Sequence, residues 1–60
     1  MRIEDVKKNM ERKVKFNGAE YFLTGCILRK TKGKFYYQAE LLDLTERAVL
    51  IVALDKVESG

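Results

Sequence analysis

Apolar positions change period along this chain. Ile3, Val6 and Met10 fall at i, i+3 and i+7, which puts them on one helical face and predicts a helix over about residues 3–10. Glu4 and Asp5 would lie near its positive end and Lys7 and Lys8 toward its negative end, with Asn9 expected to stop it in a left-handed conformation. A helix this short is unstable alone in water, so its apolar face has to dock. From Lys13 the period becomes two. Lys13-Val14-Lys15-Phe16 alternates, and Asn17-Gly18 is a strong hairpin signal, because both central residues of a type I′ turn need positive φ.

The return strand, about residues 20–30, carries Tyr21, Leu23 and Ile27 on one parity and Phe22, Cys26 and Leu28 on the other. Gly25 sits between them, which predicts a bend or bulge there. Thr31-Lys32-Gly33-Lys34 is the next expected turn. A third strand, about residues 35–44, places Tyr37, Ala39 and Leu41 together and blurs at Leu41-Leu42, where a second bulge is expected. Strand 13–17 opens this series, and a fourth strand over about residues 48–54 ends it. After a turn at Asp55-Lys56, Val57 can close the fold, and Glu58-Ser59-Gly60 reads as a tail. Residues 48–54 do not alternate, so both faces of that strand need cover from the helix, a second copy or a partner. A buried helix is the alternative there, and Val49, Ile51 and Val52 favour the strand.

A helix followed by a meander of bent strands predicts one domain over residues 1–60, α+β but mainly β. It is a four- or five-stranded antiparallel small barrel, SH3-like or Sm-like, with the helix over one open end. The layout of Asn17-Gly18, Gly25 and Leu54-Asp55-Lys56-Val57 resembles that of Sm-like RNA-binding proteins, although the glycine spacing departs from theirs and no ligand residue carries over. The stretch from Tyr21 through Val57 also resembles small uncharacterised proteins of Gram-positive mobile elements. That resemblance implies a cytosolic, non-enzymatic accessory or inhibitory role.

Composition narrows the chemistry. With no His among 60 residues there is no imidazole base, no Ser-His or Cys-His pair and no Cys/His zinc site. A single Cys closes no disulfide within the chain, which fits a reducing, cytoplasmic setting. No apolar run approaches a membrane span, and Met1-Arg2-Ile3-Glu4-Asp5 turns acidic where a signal peptide would be apolar. The 47% apolar content makes a core feasible. A domain of about 60 residues without a staple, however, buries only roughly 60% of its unfolded surface, so self-association or a partner is a natural source of stability. The expectation is a binding protein without enzymatic activity, cofactor or metal.

Charge separates the two halves. Residues 1–34 hold ten basic and four acidic side chains, net +6, and residues 35–60 are net −3. Arg29, Lys30, Lys32 and Lys34 put four cations into one expected hairpin turn. Such a turn attracts phosphate by counterion release, and as a solvated turn it also keeps a sheet edge from pairing. Phe35-Tyr36-Tyr37 follows directly. The member that faces outward, expected to be Tyr36, can stack on a base, while packing into the core accounts for aromatics at such positions equally well. Lys13 and Lys15 are candidate auxiliary contacts. This makes nucleic acid or a nucleoprotein the first expected partner. The rival is a host protein machine that a mobile-element factor inhibits or modulates. That factor would use the apolar strand residues Val49, Leu50, Ile51, Val52 and Leu54, which also suit a homo-oligomer. Glu40, Asp43 and Glu46 read as a wet sheet face, and Cys26 as a packed, inert thiol.

Overall fold

The computed structural model describes residues 1–60. The chain forms one five-stranded antiparallel sheet: β1 (Lys13–Phe16), β2 (Ala19–Thr31), β3 (Lys34–Asp43), β4 (Val49–Ala53) and β5 (Val57–Ser59). The order across the sheet is β4-β3-β2-β1-β5, so β4 and β5 are edges. The sheet is open, and the expected barrel is not closed.

Both tight hairpins follow from local chemistry. Asn17 and Gly18 adopt φ of 55° and 81°, and Lys32 and Gly33 adopt 50° and 78°. Both central residues of each turn are therefore left-handed, as type I′ geometry demands. Asn tolerates that region, whereas Lys at position 32 does so at some steric cost. The second turn is tighter than expected, because Thr31 and Lys34 already pair across it.

The bulge at Gly25 decides which residues reach the core. The β2–β3 register shifts between Leu23 and Gly25, leaving Thr24 without an opposite residue. That extra residue flips the parity of the strand. Tyr21 and Leu23 therefore share the inner face with Cys26 and Leu28, although their sequence parities differ. The second bulge, expected at Leu41-Leu42, does not form: Leu41 and Leu42 pair continuously with Leu23 and Phe22 on one side and Leu50 and Val49 on the other. Glu40 helps hold the kink, its carboxylate Oε2 accepting a hydrogen bond from the Thr24 hydroxyl at 2.8 Å.

Seven residues make the core: Val6, Val14, Leu23, Ala39, Leu41, Leu54 and Val57. Leu23 and Leu41 stand opposite each other at its centre. The N-terminal segment is less regular than the helix expected over 3–10. It is a 3-10 turn, Ile3–Asp5, running into one α-turn, Val6–Asn9 (α1). Only Val6 is buried there, and Ile3 and Met10 stay exposed. Asn9 does not turn left-handed. Its side-chain amide donates to the Asp5 carbonyl, and Glu11, at φ 62°, makes the reversal instead. Backbone bonds from Glu11 N–H to the Leu23 carbonyl and from Leu23 N–H to the Arg12 carbonyl then fasten this segment to β2.

β4 is shorter than the strand expected over residues 48–54. Leu54 leaves it to enter a 3-10 turn, Leu54–Lys56, where it is buried. The N-terminal ammonium donates to the carbonyls of Leu54 and Val57. Glu58 and Ser59 are not the expected tail: with Val57 they pair with Lys15, Val14 and Phe16 of β1. The β3–β4 loop is organised by Asp43. One carboxylate oxygen accepts from the Arg47 and Ala48 N–H groups, and the other accepts from the Thr45 hydroxyl.

Candidate nucleic-acid interface

The distal half of the β2–β3 hairpin projects beyond the rest of the sheet. β4 accompanies β3 only as far as Gln38, and β1 accompanies β2 only from Ala19 to Phe22. From Leu28↔Tyr37 to Thr31↔Lys34 the two strands have no other strand beside them. This two-stranded arm helps stretch the molecule to 36 Å along one axis against 22 and 18 Å on the others.

Residues directly opposite in an antiparallel pair share a face, and successive residues alternate. Arg29 and Tyr36 are such a pair on the outer face of the arm, with Lys34 one alternate step away. Lys30 and Phe35 are a pair on the inner face, where the Lys30 ammonium lies 5.2 Å from the Phe35 ring centroid. Lys32 stands at the turn. The structure thus brings together Arg29, Lys30, Lys32, Lys34 and Tyr36. No carboxylate pairs with any of these four cations: the two ion pairs of the fold, Arg2–Glu4 and Lys8–Asp5, lie in the N-terminal segment.

The aromatics are not absorbed by packing. Phe35, Tyr36 and Tyr37 remain 65%, 40% and 39% exposed, and Leu28, opposite Tyr37, is 56% exposed. The inner face of the arm carries core-type residues where the core has already ended. Sequence parity alone assigns Phe35 and Tyr37 to the interior. They stay uncovered because the core cluster ends at Ala39 and Cys26.

Lys13 and Lys15 lie elsewhere. Lys13 is opposite Phe22, seven positions along β2 from Arg29, which is about 20 Å of extended chain. Lys15 stands between Glu20 of β2 and Glu58 of β5, in register with both, so its field is locally balanced. Of the β4 positions, Val49 and Ile51 are exposed on the outer face. Leu50 and Val52 pack toward the core, and Leu54 is 3% exposed.

One feature had no clear sequence signal. A shallow groove of about 240 Å³ runs along the uncovered edge of β3, lined by Met1, Ile3, Tyr36, Tyr37, Leu54 and Asp55. Its walls come from three separate stretches of chain, which spacing along the sequence does not reveal. No group of His, Cys, Asp or Glu side chains is arranged to hold a metal ion. Cys26, half-buried at the foot of the arm, has its thiol pushed up from the ordinary range by desolvation. No helix is long and apolar enough to cross a membrane.

This geometry defines a small open-sheet protein with a cationic, aromatic arm. No family model matches the sequence, and neither curated proteins nor solved structures provide a match.

Proposed function

We propose that the chain is a non-enzymatic binding module whose β2–β3 arm engages nucleic acid, with single-stranded segments favoured over duplex. One observation carries the reading: four unpaired cations and three exposed aromatic rings share one projecting hairpin. Cations alone would hold any polyanion. Aromatic faces beside them suit unstacked bases, each stack contributing about 1–3 kcal/mol with little sequence preference. Arg29 and Tyr36 are the central contact on the outer face, Lys34 and Lys32 hold adjacent phosphates, and Lys30 supports Phe35 on the inner face. Glu40 and Asp43 lie toward the far end of β3, away from the path of the backbone.

The test is a fluorescence titration with a labelled single-stranded oligonucleotide over a range of salt. Neutralising about four phosphates gives a slope of log affinity against log salt near −3. Lys30→Ala/Lys32→Ala/Lys34→Ala flattens that slope, and Tyr36→Ala weakens binding about tenfold or more while leaving the slope intact. No binding at tens of micromolar protein in low salt rules the reading out.

A second reading has its own observation. Val49 and Ile51 present exposed β-branched side chains on the outer face of an edge strand. That surface suits a mobile-element factor that modulates a host protein machine. A pull-down in which a protein partner survives nuclease treatment and is lost with Ile51→Glu favours it over nucleic-acid binding.

A further inference from the structure

We infer that the free edge of β4 pairs with itself: two copies of the chain join β4 to β4, antiparallel, about a two-fold axis at Ile51. The inference goes beyond nucleic-acid binding and uses none of the arm residues. It starts from how the sheet treats its edges. An unpaired strand edge is a template for another strand, and charge, brevity or a bulge normally blunts it. β5 is three residues long and carries Glu58. The open margins of β2 and β3 along the arm carry Arg29, Lys30 and Lys34. β4, Val49-Leu50-Ile51-Val52-Ala53, has no charge, no glycine and an unbroken register with β3.

Backbone geometry sets the pairing. The Asp43 N–H donates to the Ala48 carbonyl at 3.0 Å. Hydrogen-bonded pairs alternate along an antiparallel ladder, so Leu50 and Val52 turn their backbone groups to β3. Val49, Ile51 and Ala53 turn theirs to the open side, where no strand lies. A two-fold axis normal to the sheet keeps every side chain on its own face, so residues opposite each other must share parity and the axis falls on a residue. Placed at Ile51, it sets Ile51 against Ile51 and Val49 against Ala53, and every outward residue meets another. An axis at Leu50 instead sets Ala53 against Arg47, and one at Val52 sets Val49 against Asp55.

Charge selects the same register independently. Beyond the ladder, the axis at Ile51 brings Arg47 level with Asp55 of the other copy and Glu46 level with its Lys56. All four are exposed, and neither ion pair of the fold uses them. By symmetry each pairing occurs twice. Leu50 and Val52, half-buried against the core, stand opposite each other across the seam and gain cover on the inner face. β4 is antiparallel to β3 and its copy antiparallel to it, so the two arms leave the joined sheet at opposite ends. Arg29, Lys30, Lys32, Lys34 and Tyr36 lie beyond the last β3–β4 pair, Gln38 with Ala53, and stay free. The seam is shorter than a standard interface, so the dimer is expected to be weak and reversible.

Sedimentation velocity over about 5–500 µM tests this, with the mass expected to rise from 7.0 kDa toward twice that value. Ile51→Glu sets two like charges opposite each other on the axis and is expected to stay at the monomer mass. The Ile51 side chain is 45% exposed, so the circular dichroism spectrum should not change. Leu28→Glu, on the arm, is expected to dimerise as the wild type does. Arg47→Asp and Asp55→Arg should each weaken the dimer about threefold or more, and the two together on one chain should restore it. A wild-type chain that stays monomeric at about 500 µM overturns the proposal. So does a dimer that Leu28→Glu breaks and Ile51→Glu does not. Failure of the double reversal to restore what each single change loses overturns the register, and with it the proposal.

Discussion

Leu23 and Leu28 lie on the same strand and the same face, yet truncating them should have opposite consequences. Leu23 is fully buried, stands opposite the fully buried Leu41 and belongs to a core of only seven residues. Leu23→Ala removes three carbons from that contact. Deletions of this kind lose about 2–5 kcal/mol, the transfer free energy of the removed atoms plus the cavity left behind. A single core in a chain this short rarely supplies more than about 3–5 kcal/mol in total. The loss is therefore comparable to the whole stability of the fold. With about 4–8 °C per kcal/mol for a domain of this size, the melting midpoint falls by about 10 °C or more, or the cooperative transition disappears. Leu28 is 56% exposed, and Leu28→Ala at low protein concentration should stay within about 0.5 kcal/mol of the wild type. Leu23→Val, which removes less, keeps the protein folded enough to measure a graded loss. Urea and thermal unfolding followed by circular dichroism read all three. The reasoning is refuted if Leu23→Ala melts within a few degrees of the wild type, or if Leu28→Ala is the more damaging change.

The remaining predictions concern polar groups. Asp43 has its carboxyl held below the ordinary range, chiefly by the Arg47 backbone N–H and then by the Thr45 hydroxyl. A depressed acid contributes stability that is fully present above the ordinary carboxylate pKa of about 3.9 and is lost as pH falls through the folded value. Asp43→Ala should therefore lower the melting midpoint near pH 7 and differ less from the wild type near pH 3, as thermal melts at the two pH values would show. Gln38 has its side-chain oxygen buried without a hydrogen-bond partner. Gln38→Met removes that orphan at similar volume, and urea midpoints should show a gain of about 1 kcal/mol.

Local chemistry made much of the fold legible in the sequence. Asn17-Gly18 and Gly33 announce their turns because Gly and Asn enter positive φ readily, while Lys32 follows only because the turn requires it. Gly25 announces a bulge because only an irregularity reconciles apolar residues on both parities of one strand. Val57 was readable as a residue that closes the fold after a polar turn, but the strand it begins with Glu58 and Ser59 was not, because three residues after a turn show no period of their own. The four arm cations were equally visible, since adjacency in sequence becomes adjacency across a two-residue turn. Lys13 and Lys15 show the limit of charge counting. Their net contribution depends on Glu20 and Glu58, which register alone brings alongside Lys15.

The alternation of apolar and polar residues, the glycines and the charge runs by themselves determined a mainly β chain with a cationic hairpin. Tertiary structure alone decided how far the core packing reaches along β2 and β3, and with it the exposure of Leu28, Phe35 and Tyr37 and the existence of the groove beside them. The reason is physical: periodicity records which face a side chain takes, whereas burial depends on whether another element lies over that face. Here the core packing ends at Cys26, Ala39 and Val52, while the apolar pattern of β3 runs on to Phe35.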